Sequence, residues 1–259
     1  MTPAIIDTHC HLSDGKFSDD VDEVIERAVA AGVTRMVAVG GGGPIEDSRR
    51  SAEMTERYDC LRSTAGIHPH DAASVDQATI DELEELLARP TVVAVGETGL
   101  DYYYDNSPRD LQREALARHL QLAQQCSLPI VLHCRDAHED LRDVIEAEGV
   151  PAAGGVVHCF TGNYQEACWY LDHGLLISFT GIISFRNAGE LRDVAARVPL
   201  DSMMLETDSP YLAPEPKRGK RNEPGYVVHV AKAMARTRNC SLEEVARATT
   251  ANAEKMFFS

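Results

Sequence analysis

The sequence lacks most features that mark specialised chains, and each absence closes off a class. No apolar run reaches the ~20 residues that a membrane-spanning helix needs. The longest nearly apolar stretch, Leu175 to Phe185, is broken by Ser178, Thr180 and Gly181. The start, Met1-Thr-Pro-Ala-Ile-Ile-Asp7, has no basic segment followed by a long apolar one, so it does not read as a secretory signal and the cytoplasm is the expected compartment. The seven cysteines (10, 60, 126, 134, 159, 168 and 240) contain no CxxC pair, which argues against a disulfide framework or a zinc ribbon and makes them free thiols. No GxGxxG follows the first β-like run, which argues against a dinucleotide-binding open sheet. Basic residues are scarce, 25 Lys and Arg against 41 Asp and Glu, for a formal net charge of −16. Such a surface repels polyanions at long range; it disfavours a non-specific nucleic-acid coat but not chemistry on nucleic acid.

What remains is an ordinary globular composition, 44% hydrophobic over 259 residues, and one compact domain spanning residues 1–259 is expected. Short β-branched runs alternate with longer amphipathic stretches. The runs are Ala4–Thr8, Arg35–Val39, Leu61–Ile67, Val92–Gly96, Ile130–His133, Gly155–His158, Leu175–Phe179 and Met203–Glu206. Helical patterns lie between them, and two more close the chain, roughly 226–238 and 242–257, the last with Ser241 and Glu244 placed for a capping box. Eight strand–helix units in about 250 residues predict a (β/α)8 barrel, an α/β fold.

The chemically informative residues fall at one kind of place. His9 and His11 close the first strand, His68 and His70 the third, Glu97 the fourth, His133 the fifth, His158 the sixth and Asp208 the eighth. Barrel enzymes build their sites at that rim. Strand parity puts His9 and His11 on one face and turns Cys10 away; it likewise turns Cys134 from His133 and Cys159 from His158. Asp7 shares the parity of His9 and is expected to lie beneath the site as an acceptor that fixes an imidazole. His119, His138, His173 and His229 read as hydrogen-bonded core or surface residues. Imidazoles with carboxylates are the ligand set of a catalytic divalent-metal site, and His9, His11, Glu97, His133, His158 and Asp208 are the expected ligands. His68 has a second reading, because Gly66-Ile-His-Pro-His-Asp71 also suits a capped turn whose imidazoles bond only backbone. One basic cluster, Lys217-Arg-Gly-Lys220-Arg221, stands against the acidic background, and composition alone makes it a solvated loop.

Taken together, Asp7-Thr-His-Cys-His11-Leu, Gly66-Ile-His-Pro-His70, Gly96-Glu-Thr-Gly-Leu-Asp101-Tyr-Tyr, Leu132-His-Cys-Arg-Asp-Ala137, Val157-His-Cys-Phe-Thr-Gly162 and Leu205-Glu-Thr-Asp-Ser-Pro-Tyr-Leu212, continuing to Arg218-Gly-Lys-Arg-Asn-Glu-Pro224, run from end to end of the chain. In these motifs it resembles the TatD-family metal-dependent deoxyribonucleases of the amidohydrolase superfamily. Two departures, Thr98 and the Gly40-Gly-Gly-Gly43 turn, touch no ligand position. The resemblance implies two divalent ions, one held by His9, His11, Glu97 and Asp208 and the other by Glu97, His133 and His158, with Glu97 bridging. It also implies that Asp208 accepts the proton of the attacking water and that His68 contacts the scissile phosphate or the leaving group; Glu206, two residues before Asp208, faces the same interior and is expected to support the site or to add a further ligand. Arg135, Lys220 and Arg221 would position phosphates.

The activity so implied is a 3′→5′ exonuclease on single-stranded DNA, with RNA as a further substrate. Magnesium or manganese suits the carboxylates and zinc the imidazoles. Two alternatives use the same activated water: an amidohydrolase on a small cyclic amide, and a D-aminoacyl-tRNA deacylase. A metal-binding protein without catalysis is a third class, disfavoured because Asp208 provides a base. No membrane partner is expected, and a monomer is compatible with the sequence.

Overall fold

Each β-like run forms a strand and each amphipathic stretch a helix in the computed structural model, which describes residues 3–40 and 44–258. Gly41 to Gly43 of the glycine turn lie outside the described residues. The order is β1 (Ile5–Cys10), α1 (Val21–Ala30), β2 (Val33–Ala38), α2 (Ile45–Met54), β3 (Leu61–Ala65), α3 (Gln77–Leu87), β4 (Val92–Asp101), α4 (Arg109–Cys126), β5 (Ile130–Arg135) and α5 (His138–Glu148). It continues with β6 (Gly155–Val157), α6 (Tyr164–Asp172), β7 (Leu175–Phe179), α7 (Gly189–Arg197), β8 (Met203–Leu205), α8 (Val227–Arg238) and α9 (Leu242–Phe257). The strands stand in chain order in one eight-stranded sheet. The β8 end meets β1: the Asp208 amide donates to the His9 carbonyl at 2.9 Å, the His11 amide to the Ser209 carbonyl at 2.8 Å, and the Thr8 hydroxyl to the Leu205 carbonyl at 3.1 Å. The fold is the expected (β/α)8 barrel. Among the described residues no helix is long and apolar enough to cross a membrane.

The chain divides into two compact units. The first comprises Met1–Val37, Cys159–Asp172 and Leu176–Ser259. Within it α9 packs on β1 and β8, burying Val245, Ala246, Ala253 and Phe257 at helical spacing. The Ser241 hydroxyl caps α9 by accepting the Glu244 amide at 3.1 Å. The second unit comprises Ala38–His158 and His173–Leu175, with β3 to β6 in parallel and α4 lying on β4.

Strand β4 runs five residues past its expected end at Gly96, and the reason is steric. Gly99 has φ +146° and pairs with His133 so closely that a Cβ there would lie 2.0 Å from the His133 carbonyl oxygen. A glycine that reads as a turn in sequence is the residue that lets two strands approach. Buried Gln112 of α4 then anchors the extension, its side-chain oxygen accepting the Asp101 amide at 2.8 Å and its NH2 donating to the Asp101 and Ser107 carbonyls.

His119 is a core residue, as expected. It is fully buried in α4, donates from Nδ1 to the Ala115 carbonyl at 2.7 Å and accepts the Ile67 amide at Nε2, 3.0 Å away, so it fixes the backbone immediately before His68. Burial pulls its pKa from 6.5 down to about 4. The unfolded chain therefore takes up a proton between those values that the folded chain refuses, and this contribution to stability is complete above pH 6.5 and lost as pH falls towards 4. The full loss is about 3 kcal/mol. Urea denaturation from pH 7 to pH 4 should show the steeper loss in the wild type and a shallower one in His119→Gln; equal slopes would remove His119 as its source.

Candidate metal centre

In the second unit the centre is built around Glu97. Its carboxylate is 2% exposed, and Oε1 lies 2.7 Å from His158 Nε2, 2.9 Å from His133 Nδ1 and 3.4 Å from His68 Nε2. Strands β4 and β5, the residue after β6 and the loop after β3 thus aim one oxygen and three ring nitrogens at one point. His68 satisfies both readings of its motif: Nδ1 accepts the His70 amide at 3.2 Å as a turn cap, while Nε2 faces Glu97. Burial pulls the His68 pKa down to about 4, against the attraction of Glu97, so its ring is neutral; with Nδ1 accepting the His70 amide, the proton sits on Nε2 and points to Glu97.

Asp101 was not assigned a role from sequence, and it organises this cluster. Its Oδ2 lies 3.1 Å from His133 Nε2 and 3.1 Å from His70 Nε2, and its Oδ1 accepts the amides of Tyr103 at 3.1 Å and Tyr104 at 2.9 Å. Burial alone would raise its pKa; the bonds from His133, His70 and the Tyr104 amide outweigh that and hold the group ionised, far below the ordinary range. An ionised Asp101 requires the His133 proton on Nε2, which turns the Nδ1 lone pair towards Glu97. This carboxylate–imidazole relay is the support that metal-ligating histidines typically have. The same pairing raises the His133 pKa although burial opposes it. The signal in sequence was parity, since Asp101 stands four residues beyond Glu97 on the same strand face.

In the first unit, His9, His11 and Asp208 come together. Asp208 Oδ1 lies 3.2 Å from His11 Nε2 and 3.8 Å from His9 Nε2, and the two rings meet edge to face at 5.0 Å. Asp7 lies beneath, fully buried, accepting from the Thr207 amide at 2.9 Å, the Thr207 hydroxyl at 2.6 Å and the His9 amide at 3.3 Å. It fixes the backbone of both ligand-bearing strands rather than an imidazole. Burial pushes its pKa up to about 8 against those three donors. Glu206 accepts the Cys159 amide at 2.7 Å and the Ser178 hydroxyl at 2.6 Å. Strand β6 ends at Val157 and Cys159 has φ 45°, so strand parity does not extend to that cysteine; Cys10 and Cys134 are buried, the first donating to the Val37 carbonyl and the second beside His138 of α5.

The basic loop is tied to α1 and its neighbours. Arg221 pairs with Asp20 at 2.7 and 2.6 Å, reaches Glu223 at 3.4 Å, donates to the Lys16 carbonyl at 2.7 Å and lies over the Phe17 ring. Its guanidinium is already committed to carboxylates, and the Asp20 carboxyl beside it is held down at about 2 by Arg221 and Arg27. Of the two cations of this loop expected to meet phosphate, Lys220 is the exposed one. Arg135, at the end of β5, lies over the rings of Tyr103 and Tyr104 at 3.9 and 4.8 Å.

The donor chemistry fits divalent cations. One ligand atom each from His68, Glu97 and His133 lie within 4.8 Å of one another, and so do those of His9, His11 and Asp208. Imidazole nitrogens and carboxylate oxygens at the C-terminal rim of a (β/α)8 barrel define the class, a metal-dependent barrel hydrolase. The family model for TatD-related DNases matches residues 6–258. The chain is 42% identical over 253 residues to the uncharacterized metal-dependent hydrolase YabD of Bacillus subtilis, covering 98% of both chains. It is 35% identical over 258 residues, again 98% of both, to the 3′-5′ ssDNA/RNA exonuclease TatD of Citrobacter koseri. The crystal structure of the TatD homologue YjjV from Escherichia coli superposes with a TM-score of 0.92 at 32% identity over 98% of each chain. The chain belongs to the TatD-related DNase family and is a metal-dependent hydrolase.

Proposed function

We propose that this hydrolase is a 3′→5′ exonuclease that cleaves phosphodiester bonds in single-stranded DNA and RNA, with two divalent cations, magnesium or manganese in catalysis. The observation that carries the reading is the pair of His/carboxylate clusters, one in each unit, in a chain that matches the DNase family from residue 6 to residue 258. Support for the substrate comes from the similarity to the exonuclease of Citrobacter koseri. Divalent cations would supply water activation and neutralisation of phosphoryl charge. They would be held by His9, His11 and Asp208 and by Glu97, His133 and His158, with Glu97 serving both.

The chain's own residues then divide the work. Asp208 takes the proton of the attacking water. His68, neutral and facing the cluster, meets the scissile phosphate or the leaving oxygen. Arg135 and Lys220 hold backbone phosphates, and Arg221 keeps the loop in place through Asp20. Asp7 and Glu206, both buried acceptors of neighbouring backbone amides, keep the strand ends aligned.

Metal add-back to EDTA-stripped protein with end-labelled single-stranded DNA tests this directly. Magnesium or manganese should restore stepwise shortening from the 3′ end. Restoration on a cyclic amide or on D-aminoacyl-tRNA, with DNA untouched, would overturn it.

A further inference from the structure

Tyr102-Tyr103-Tyr104 follows β4, and the three rings are used differently. Tyr102 is engaged in the fold: its hydroxyl donates to Asp140 at 2.6 Å and Arg109 lies over its ring at 4.1 Å. Tyr103 and Tyr104 are 59% and 56% exposed, and neither hydroxyl has a hydrogen-bond partner among the described residues. Single exposed aromatics are common. Here two are adjacent, edge to face at 5.0 Å, and the Arg135 guanidinium lies over both rings.

Their position is set by the catalytic cluster. The Asp101 carboxylate accepts the Tyr103 and Tyr104 amides with one oxygen and faces His70 and His133 with the other. The Tyr104 ring meets the His70 ring edge to face at 5.4 Å, and His70 meets His68 at 4.3 Å. One carboxylate therefore locks an exposed aromatic pair two ring contacts from the imidazole that faces Glu97.

We infer that Tyr103, Tyr104 and Arg135 form a stacking platform for a nucleobase of a single strand entering the Glu97 cluster. Every base has a π-face, so aromatic rings with a guanidinium bind single strands with little sequence preference. The arrangement also answers the charge problem. A chain of net charge −16 gains little from long-range attraction to a polyanion, and stacking supplies affinity that does not depend on it. Bases inside a duplex are already stacked on both faces, so the platform favours unpaired ends, whose bases are free to stack on it.

This inference rests on the nuclease reading, and one experiment separates their failures. Initial rates of the metal-loaded enzyme are measured on a thymidine oligonucleotide and on an abasic oligonucleotide of the same length and backbone. The wild type should show a KM about tenfold or more lower for the base-bearing strand. Tyr103→Ala and Tyr104→Ala should each shrink that ratio and the double variant bring it close to one, with kcat changing less than KM. Tyr103→Phe and Tyr104→Phe keep the ring and should keep the ratio. A double Ala variant that retains the full ratio, Phe variants that lose as much as Ala, or a wild type indifferent to the bases would overturn the platform and leave the nuclease standing. A wild type that cleaves neither oligonucleotide would overturn both.

Discussion

Glu97→Ala protein should emerge from purification with its divalent metal almost gone, more depleted than any single histidine variant. The geometry of the second unit gives the reason. Glu97 Oε1 is the common neighbour of His158, His133 and His68, at 2.7, 2.9 and 3.4 Å, in a site where the carboxylate is 2% exposed. Removing one imidazole leaves the anionic centre and the remaining nitrogens. Removing Glu97 leaves neutral or cationic imidazoles facing one another in a buried space, where a doubly charged ion meets no carboxylate directly, Asp101 lying on the far side of the His133 ring. As the residue assigned to both ions, Glu97 should cost nearly the whole metal content by elemental analysis, and activity with it. Retention of one full ion per chain would show that Glu97 serves a single ion, and unchanged content would remove it from the ligand set.

Much of this was legible because the decisive residues obey simple spacing. Alternation of β-branched runs with amphipathic stretches gave the barrel, and histidines at strand ends gave both clusters. What stayed hidden depended on contacts between distant segments. Asp101 lay beyond the expected end of β4, since Gly99 reads as a turn until the close approach of His133 shows what it is for. Its role as the joint between His133, His70 and the tyrosine turn has no local signature beyond parity. The partners of Arg221 were legible only in part: pairing with Glu223, two residues on, is a local alternative to a phosphate-binding loop, while Asp20, about two hundred positions earlier, is the carboxylate Arg221 meets most closely. Cys159 shows the opposite limit, because the parity rule holds only while the strand lasts and β6 stops at Val157.

In Asp208→Asn, turnover should fall by about 10²- to 10⁴-fold, the usual contribution of a positioned acid or base, while metal content and folding survive. The substitution is chosen for the backbone as much as for the side chain. Asp208 has φ 56°, a left-handed conformation that Asn tolerates as well as Asp, whereas most other residues would strain it. The hydrogen bonds from its amide to the His9 carbonyl and from the Tyr211 amide to its own carbonyl, both 2.9 Å, are untouched by the change. The amide oxygen can still face His11 and His9 as a ligand, but it accepts a proton far more weakly than a carboxylate. A base therefore shows itself as a loss in kcat at normal metal content. Loss of metal in proportion to activity would make Asp208 chiefly a ligand, and near-normal kcat at full occupancy would pass the proton to another group.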